Sequence, residues 1–156
     1  MPKTLADLAR TAHQLPKELQ AAEQRGVRKS ALLVTRGIRD EIRGATGDNR
    51  LSGVGRRGAR VGAKYDVSGG SNPTAVIRAT GPLHLVDRDT DPHLIAPKRR
   101  RGAKALRLAN GQMVASVRHP GTRGKHVWGK GISKTRAGTR KVFAAEIHTA
   151  MIKAVG

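Results

Sequence analysis

Apolar residues in the first third of the chain recur with the period of an α-helix. One short run of them has helical spacing: Leu5, Leu8, Ala9 and Ala12. Pro16 suits the first turn of a second helix, because its missing N–H is not needed there. Beyond it an apolar face continues to Ile42, and Gly44 carries the usual signal for a helix C-terminus. The pattern therefore predicts a short helix followed by a long one that ends at Gly44.

The middle of the chain has a weaker periodicity. Residues 45–60 are rich in glycine and predict a loop. Short runs typical of strands follow at 61–67, 74–79 and 83–86. Asn110-Gly111 lies between two further apolar runs and is the strongest hairpin signal in the chain.

The last segment carries apolar residues four positions apart: Phe143, Ile147, Met151 and Val155. This spacing predicts a terminal amphipathic helix. The order of elements predicts an α+β fold with a long N-terminal helix, an antiparallel sheet of about four strands and a C-terminal amphipathic helix. The length of 156 residues predicts a single domain over 1–156. Glycine-rich and arginine-rich stretches predict mobile loops near 45–60 and 97–102.

Charge changes this picture more than any other property. The chain has 31 Lys and Arg against 11 Asp and Glu, a formal net charge of +20, and such a field attracts polyanions. Between Pro92 and Ala145 there is no acidic residue. We expect one run of cations in that region to face DNA or an acidic protein surface: Lys98, Arg99, Arg100 and Arg101.

The composition also excludes classes of chemistry and of partner. There is no cysteine, which excludes disulfides, thiolate metal sites and cysteine nucleophiles. No apolar run is long enough for a membrane span, and residues 1–10 lack the apolar core of a secretion signal. We therefore expect no membrane partner, and a location in the cytoplasm or in an assembly made there. Tyr65, Trp128 and Phe143 are too few aromatic residues for the stacking surface of a dedicated RNA-binding module.

Two glycine motifs imitate nucleotide-binding loops. Gly53–Gly58 reads G-x-G-x-x-G, but a polar stretch precedes it and a strand pattern follows, whereas a pyrophosphate site needs a strand before and a helix after. Gly124–Gly131 matches most of a P-loop, yet Gly131 stands where a magnesium-binding Ser or Thr belongs and no βαβ unit surrounds it. We therefore predict that these glycines serve turns, and that the chain binds no cofactor.

Histidines and aspartates supply two weaker candidates for a metal site. Three of the six histidines could combine: His84, His93 and His119. Scattered structural or surface histidines are the favoured alternative, because no pair has the i, i+4 spacing of a helical zinc motif. Three aspartates occupy alternate positions: Asp87, Asp89 and Asp91. They could be ligands of a metal ion, or they could form an acidic turn that balances the surrounding cations. We favour the acidic turn, and predict no catalytic, cofactor or metal site and no enzymatic activity.

Three stretches of the chain follow one another in a familiar order. Thr46-Gly47 to Leu51-Ser52 opens the loop after the long helix, GPLHLVDRDTDPHLI follows at 81–95, and VRHPGTRGKHVWGKGI at 117–132 leads into the last helix. This layout, over roughly residues 15–155, resembles the neck or tail-completion proteins of long-tailed bacteriophages, especially the variants of actinobacteriophages.

The resemblance implies a non-enzymatic subunit of a homo-oligomeric ring in the virion neck, assembled in the host cytoplasm. Such rings join the DNA-filled head, on its portal side, to the tail tube. Their neighbours are an adaptor or stopper and a tail terminator or tail-tube protein, and packaged DNA can be contacted independently of its sequence. His119-Pro120-Gly121-Thr122 matches the family's Gly-Thr turn and Val127-Trp128 its Pro-aromatic segment, although HVWGKG stands where the wider family has a Pro-Phe pair.

Four residues are predicted to lie at subunit or neighbour interfaces: Trp128, His126, Phe143 and Met151. Trp128 carries most weight, because a lone tryptophan in a loop suits an interface anchor. Burial of Trp128 against its own sheet is the alternative. A second class of function also fits the charge, namely a small basic nucleic-acid-binding protein of ribosomal or nucleoid type.

Overall fold

The chain divides into two compact units. The computed structural model describes residues 4–51, 58–97, 105–108 and 110–155. Unit 1 joins the first part of the chain, Met1–Leu83, to the last part, Val127–Gly156, and unit 2 is His84–His126. A single domain over the whole chain stays a prediction. The loop predictions for residues 52–57 and 98–102 lie outside the described residues.

Unit 1 is built on a helix that is longer than the sequence predicts. α1 runs unbroken over Leu5–Thr46 with Pro16 inside it, so the predicted boundary between two helices is wrong. A proline removes one helical hydrogen bond, but the apolar stripe continues on both sides of Pro16. On its C-terminal side the stripe reaches Ala22, which is fully buried, so packing holds the helix together there.

The C-terminus of α1 is capped by Gly47. Its φ of 84° is one that glycine adopts without strain, and its N–H donates to the carbonyl oxygen of Arg43 at 2.8 Å. The hydroxyl of Thr46 donates to the carbonyl oxygen of Ile42 at 2.9 Å. The predicted stop at Gly44 is therefore wrong, because glycine only weakens a helix interior whereas the left-handed cap lies at Gly47.

Four short strands of unit 1 form two antiparallel pairs. They are β1 (Arg50–Leu51), β2 (Ala59–Arg60), β3 (Gly62–Ser68) and β4 (Thr74–Thr80). β1 pairs with β2, and β3 pairs with β4 along their whole lengths. The loop predicted over 45–60 is therefore wrong at β1 and β2, which pair with each other. The β3–β4 hairpin packs on α1, where the Arg39 guanidinium donates to the carbonyl oxygen of the buried Ala63 at 2.8 Å.

The second long helix, α3 (Val127–Val155), packs antiparallel against α1. Close contacts between the two helices include those of Gly131 with Ile38, Gly138 with Leu33, and Phe143 with Gly26. The helix begins at Val127, well before Phe143, where the apolar spacing that predicts a terminal helix starts. Glycines in this part of α3 lower its helix propensity, but they allow a close approach to α1, and that packing supports the helix.

Unit 2 contains a short helix and two further antiparallel strand pairs. Its elements are α2 (His84–Asp87), β5 (His93–Ile95), β6 (Leu106–Arg107), β7 (Met113–Val114) and β8 (Val117–His119). β5 pairs with β8, and β6 pairs with β7. The hairpin predicted around Asn110-Gly111 is confirmed, with Gly111 at a φ of 85°. The strand predicted at 83–86 is wrong, because the backbone turns there and the N–H of Arg88 donates to the carbonyl oxygen of His84 at 3.2 Å.

The predicted α+β class is confirmed, together with the long N-terminal helix and the C-terminal helix. The strands are antiparallel as predicted, but within the described residues they form separate two-stranded pairs. Most of them are only two or three residues long, and such strands have too few ladder bonds to build a wider sheet.

Candidate functional site

An apolar groove of about 470 Å³ lies open in unit 1. Seven apolar side chains line it: Val27, Ala31 and Val34 of α1, Ala75 and Ile77 of β4, and Phe143 and Ala144 of α3. Ser30, Thr139 and Arg140 complete the lining. We take this groove as the candidate site, because its open apolar lining suits contact with another apolar surface.

The groove follows from the width of the apolar face of α1. Gly26, Leu33 and Gly37 form one row of this face and meet α3. The neighbouring row holds Val27 and Val34, because residues seven positions apart lie on one line of a helix. Sequence reasoning did not find the groove. The sequence does contain a signal for the groove: apolar residues or glycines occupy adjacent positions in the two rows, as at 26–27 and 33–34. The apolar face of α1 is therefore too wide to be covered by one helix.

Phe143 is the largest side chain of the groove. A side chain at position 26 would bring its Cβ within 2.7 Å of the Phe143 ring, so Gly26 is what lets the ring lie against α1. Phe143 is still 37% exposed. A partly exposed aromatic side chain in an apolar groove is a natural anchor for a binding partner.

An ion-pair cluster also joins the two helices. Glu146 of α3 accepts hydrogen bonds from Lys29 and from Arg25 of α1, the latter at 3.0 Å. The hydrogen bonds from Lys29 and Arg25 lower the pKa of Glu146 below its ordinary value of 4.5. Because the pKa is lowered in the folded protein, the cluster stabilises the fold above the ordinary pKa, and the stabilisation is lost as the pH falls through the folded value.

We expect Glu146→Gln to lower the unfolding temperature at about pH 7 and to have a much smaller effect at about pH 3. At acid pH the wild-type carboxyl is itself protonated, so the two proteins become alike. Thermal unfolding at both pH values measures the difference. Glu18→Gln is the control, because the ion pair of Glu18 with Lys153 is long, at 3.9 Å, and a smaller loss is expected. An equal loss for Glu146→Gln at both pH values would contradict the role given to the cluster.

The predicted interface residues do not form one patch. Trp128 is the second residue of α3 and is half-buried, so its predicted position in a loop is wrong: the helix starts before it. Phe143 lies in the groove, and Met151 is 52% exposed near the end of α3. Trp128 and Met151 are about 35 Å apart along the helix axis. His126 is exposed, with a φ of 50°.

The predicted polyanion-facing residues, Lys98, Arg99, Arg100 and Arg101, lie outside the described residues. The described chain presents cations elsewhere. Six on α3 are exposed: Lys130, Lys134, Arg136, Arg140, Lys141 and Lys153. A second cavity of unit 1, of about 270 Å³, is lined in part by Arg25 and Arg28. Unit 1 therefore presents positive charge in several directions.

Histidine and aspartate side chains of unit 2 contact one another and accept hydrogen bonds from the backbone. His93 and His119 stack with their ring centroids 5.0 Å apart, and the N–H of Gly121 donates to Nδ1 of His119 at 3.1 Å. Asp89 accepts a hydrogen bond from the N–H of Gly124 at 2.8 Å and lies 3.7 Å from His126 Nε2. Across the described residues, no group of three or more His, Asp or Glu side chains is placed to hold a metal ion. This arrangement fits the acidic-turn interpretation.

The structure describes the second glycine motif, but only the last residue of the first. Residues 53–57 of the first lie outside the described residues; Gly58 has a φ of 73° and β2 follows it. In the second motif, Gly129 and Gly131 lie inside α3, so the prediction that its glycines serve turns is wrong at these positions. A Cβ at Gly131 would lie 2.7 Å from Ile38 Cα, which shows that this glycine serves helix packing.

Comparison with protein-family models, with curated proteins and with solved structures gives no significant match to this chain. Within the described ranges, no helix is both long enough and apolar enough to cross a membrane.

Proposed function

We propose that the chain is a structural subunit of a head-to-tail connector (neck) ring in a long-tailed bacteriophage. In this role it joins the DNA-filled, portal side of the capsid to the tail tube. The observation that carries the proposal is the open apolar groove of unit 1, because an uncovered apolar surface suits contact with another protein chain. The kind of assembly, a neck ring, is proposed from the three sequence stretches that resemble neck proteins.

The chemistry of the groove supports binding more than catalysis. Arg140 is the one titratable group among the ten residues that line it, so the groove offers no acid–base pair for proton transfer. Its walls are aliphatic and aromatic side chains held by two helices and a hairpin. A site of this kind recognises shape and apolar area.

The cations supply the second property that a neck subunit needs. The six exposed cations of α3 belong to a chain with a net charge of +20. DNA passes through a connector ring, and phosphates attract such a surface without regard to base sequence. Acidic surfaces of the neighbouring adaptor, stopper or terminator proteins would be attracted in the same way.

The test is a phage that lacks the chain. We expect filled heads and separate tails to accumulate, and the purified protein to restore joining when it is added to the two. Electron microscopy and plaque counts measure both. Complete, infectious particles made without the chain would contradict the proposal.

Trp128→Ala should reduce head–tail joining by roughly tenfold or more, because loss of a buried aromatic anchor costs an interface at least 2 kcal/mol. The side chain is only half-buried in the subunit, so the variant should still fold, as circular dichroism can show. Trp128→Phe keeps an aromatic ring and should retain most of the joining activity. Normal joining by Trp128→Ala would exclude Trp128 from the interface.

The charge alone favours a second candidate, a small basic nucleic-acid-binding protein of ribosomal or nucleoid type. The absence of acidic residues between Pro92 and Ala145 is the specific observation. Titration with duplex DNA over a range of salt concentrations separates the two functions. A neck subunit should bind DNA weakly, with affinity that falls steeply as salt rises. Tight binding by a stable monomer at physiological salt would favour the second candidate.

A further inference from the structure

The stripe that α1 buries against α3 continues beyond the end of α3. Ion pairs between the helices run from Lys134 with Glu41, at 3.2 Å, to Lys153 with Glu18, at 3.9 Å. α3 ends at Val155. At this antiparallel spacing residues 5–15 of α1 extend past the end of α3, over about 16 Å of helix. We call residues 5–15 the arm.

The arm carries apolar residues along one face: Leu5, Leu8, Ala12 and Leu15. These positions continue the stripe that reaches the buried Ala22 and Gly26. Two residues of this face are open to solvent, since Leu5 is 86% exposed and Ala12 is also exposed, and Leu15 is half-buried. An apolar helix face that is open to solvent is a surface that another apolar surface can cover.

Charge and length make the arm compatible with the groove. Asp7 and Arg10 cancel, so the arm has no net charge in a chain whose net charge is +20. It can approach Arg140 in the groove lining without the repulsion that the cationic surfaces of the chain would meet there. Val27 and Val34 in the groove are seven residues apart, which is about 10 Å along the helix axis. Leu5 and Ala12 in the arm have the same separation.

The arm cannot fill the groove of its own chain. Both are parts of the continuous helix α1, and the axis rises about 33 Å between Ala9 and Ala31. Contact between an arm and a groove therefore requires two copies of the chain.

We propose that the arm of one copy binds in the apolar groove of the next copy. The mode is that of an amphipathic helix in a groove, with anchors at helical spacing. Each copy offers its groove to one neighbour and its arm to the other, so the contact is heterologous and closes into a ring when the rotation between copies allows it. The ring rests on the proposed function; the contact itself is a property of the purified chain.

Four variants of the 156-residue chain, each with one alanine replaced by glutamate, test the contact. Ala12→Glu places a carboxylate on the apolar stripe of the arm, and Ala144→Glu places one in the groove. Burying either carboxylate in the contact would be costly. The matched controls are Ala6→Glu, on the opposite side of the arm helix, and Ala145→Glu, an exposed neighbour that does not line the groove. All four positions are exposed, and unfolding curves verify that each variant folds.

Sedimentation velocity gives the mass of each species. We expect the wild-type chain and both controls to form oligomers with increasing concentration, and Ala12→Glu and Ala144→Glu each to remain a monomer of 16.7 kDa. A mixture of these two variants should form complexes of two chains and no larger ones. In the mixture, the intact arm of Ala144→Glu can enter the intact groove of Ala12→Glu, and no further contact is possible.

Three results would overturn the proposal: a wild-type chain that stays monomeric, oligomers that Ala12→Glu and Ala144→Glu leave intact, or a mixture of these two that stays monomeric. The last would indicate a symmetric contact, or a groove made for another protein. These outcomes are independent of the proposed function. Oligomers that form through the arm while the phage assembles normally without the chain would contradict the neck proposal alone.

Discussion

Ile38→Ala should lower the free energy of unfolding by about 2–5 kcal/mol. Ile38 is fully buried on α1 and lies against Gly131 of α3, so truncation leaves a cavity at the contact between the two longest elements. Other core side chains are small, among them Ala22, Ala31 and Ala63, and alanines have little freedom to move into the space. Urea unfolding at equilibrium measures the loss.

Ile152→Ala is the matched control for that substitution. Ile152 lies on α3 in the same unit and is 59% exposed, so its truncation should change the free energy of unfolding by about 0.5 kcal/mol or less. Equal effects of the two substitutions would contradict the packing of α1 on α3 as described.

Gly131→Ala should lower the free energy of unfolding by about 1–3 kcal/mol, although alanine favours helices more than glycine does. The added Cβ would lie 2.7 Å from Ile38 Cα and 2.8 Å from Ile38 N. These are backbone atoms, so the helices themselves must move apart.

Gly129→Ala makes the same chemical change two residues earlier in α3. No atom lies within 4 Å of the added Cβ there, so the helix propensity of alanine should raise the free energy of unfolding by up to about 1 kcal/mol. Opposite signs for the two glycines would support the helix contact. The same sign for both would mean that Gly131 does not lie against α1.

The sequence predicts the elements better than their limits. The periodic apolar face of α1 and the spacing from Phe143 to Met151 both predict helices that are confirmed. Pro16 and Gly44 were misleading, because their local propensities were outweighed by packing and by the cap at Gly47. The start of α3 was missed for a related reason. Gly129 and Gly131 suggest a loop when only the sequence is considered. The contribution of Gly131 to packing depends on α1, which is distant from it in sequence.

The groove could not be predicted for a reason of geometry. It combines α1 with residues such as Ile77 and Ala144, which are distant from α1 in sequence, and no local pattern indicates that they meet. Phe143 was the one predicted interface residue that belongs to it. The prediction followed from its position on the terminal helix, whereas its exposure depends on how α3 packs against Gly26.

Electron cryo-microscopy of the neck in purified virions tests the central claim most directly. Our account predicts several copies of the α1–α3 helix pair repeated around the tail axis, between the head and the tail tube, with the arm of each copy in the groove of the next. A neck whose density is fully explained by other proteins would contradict it.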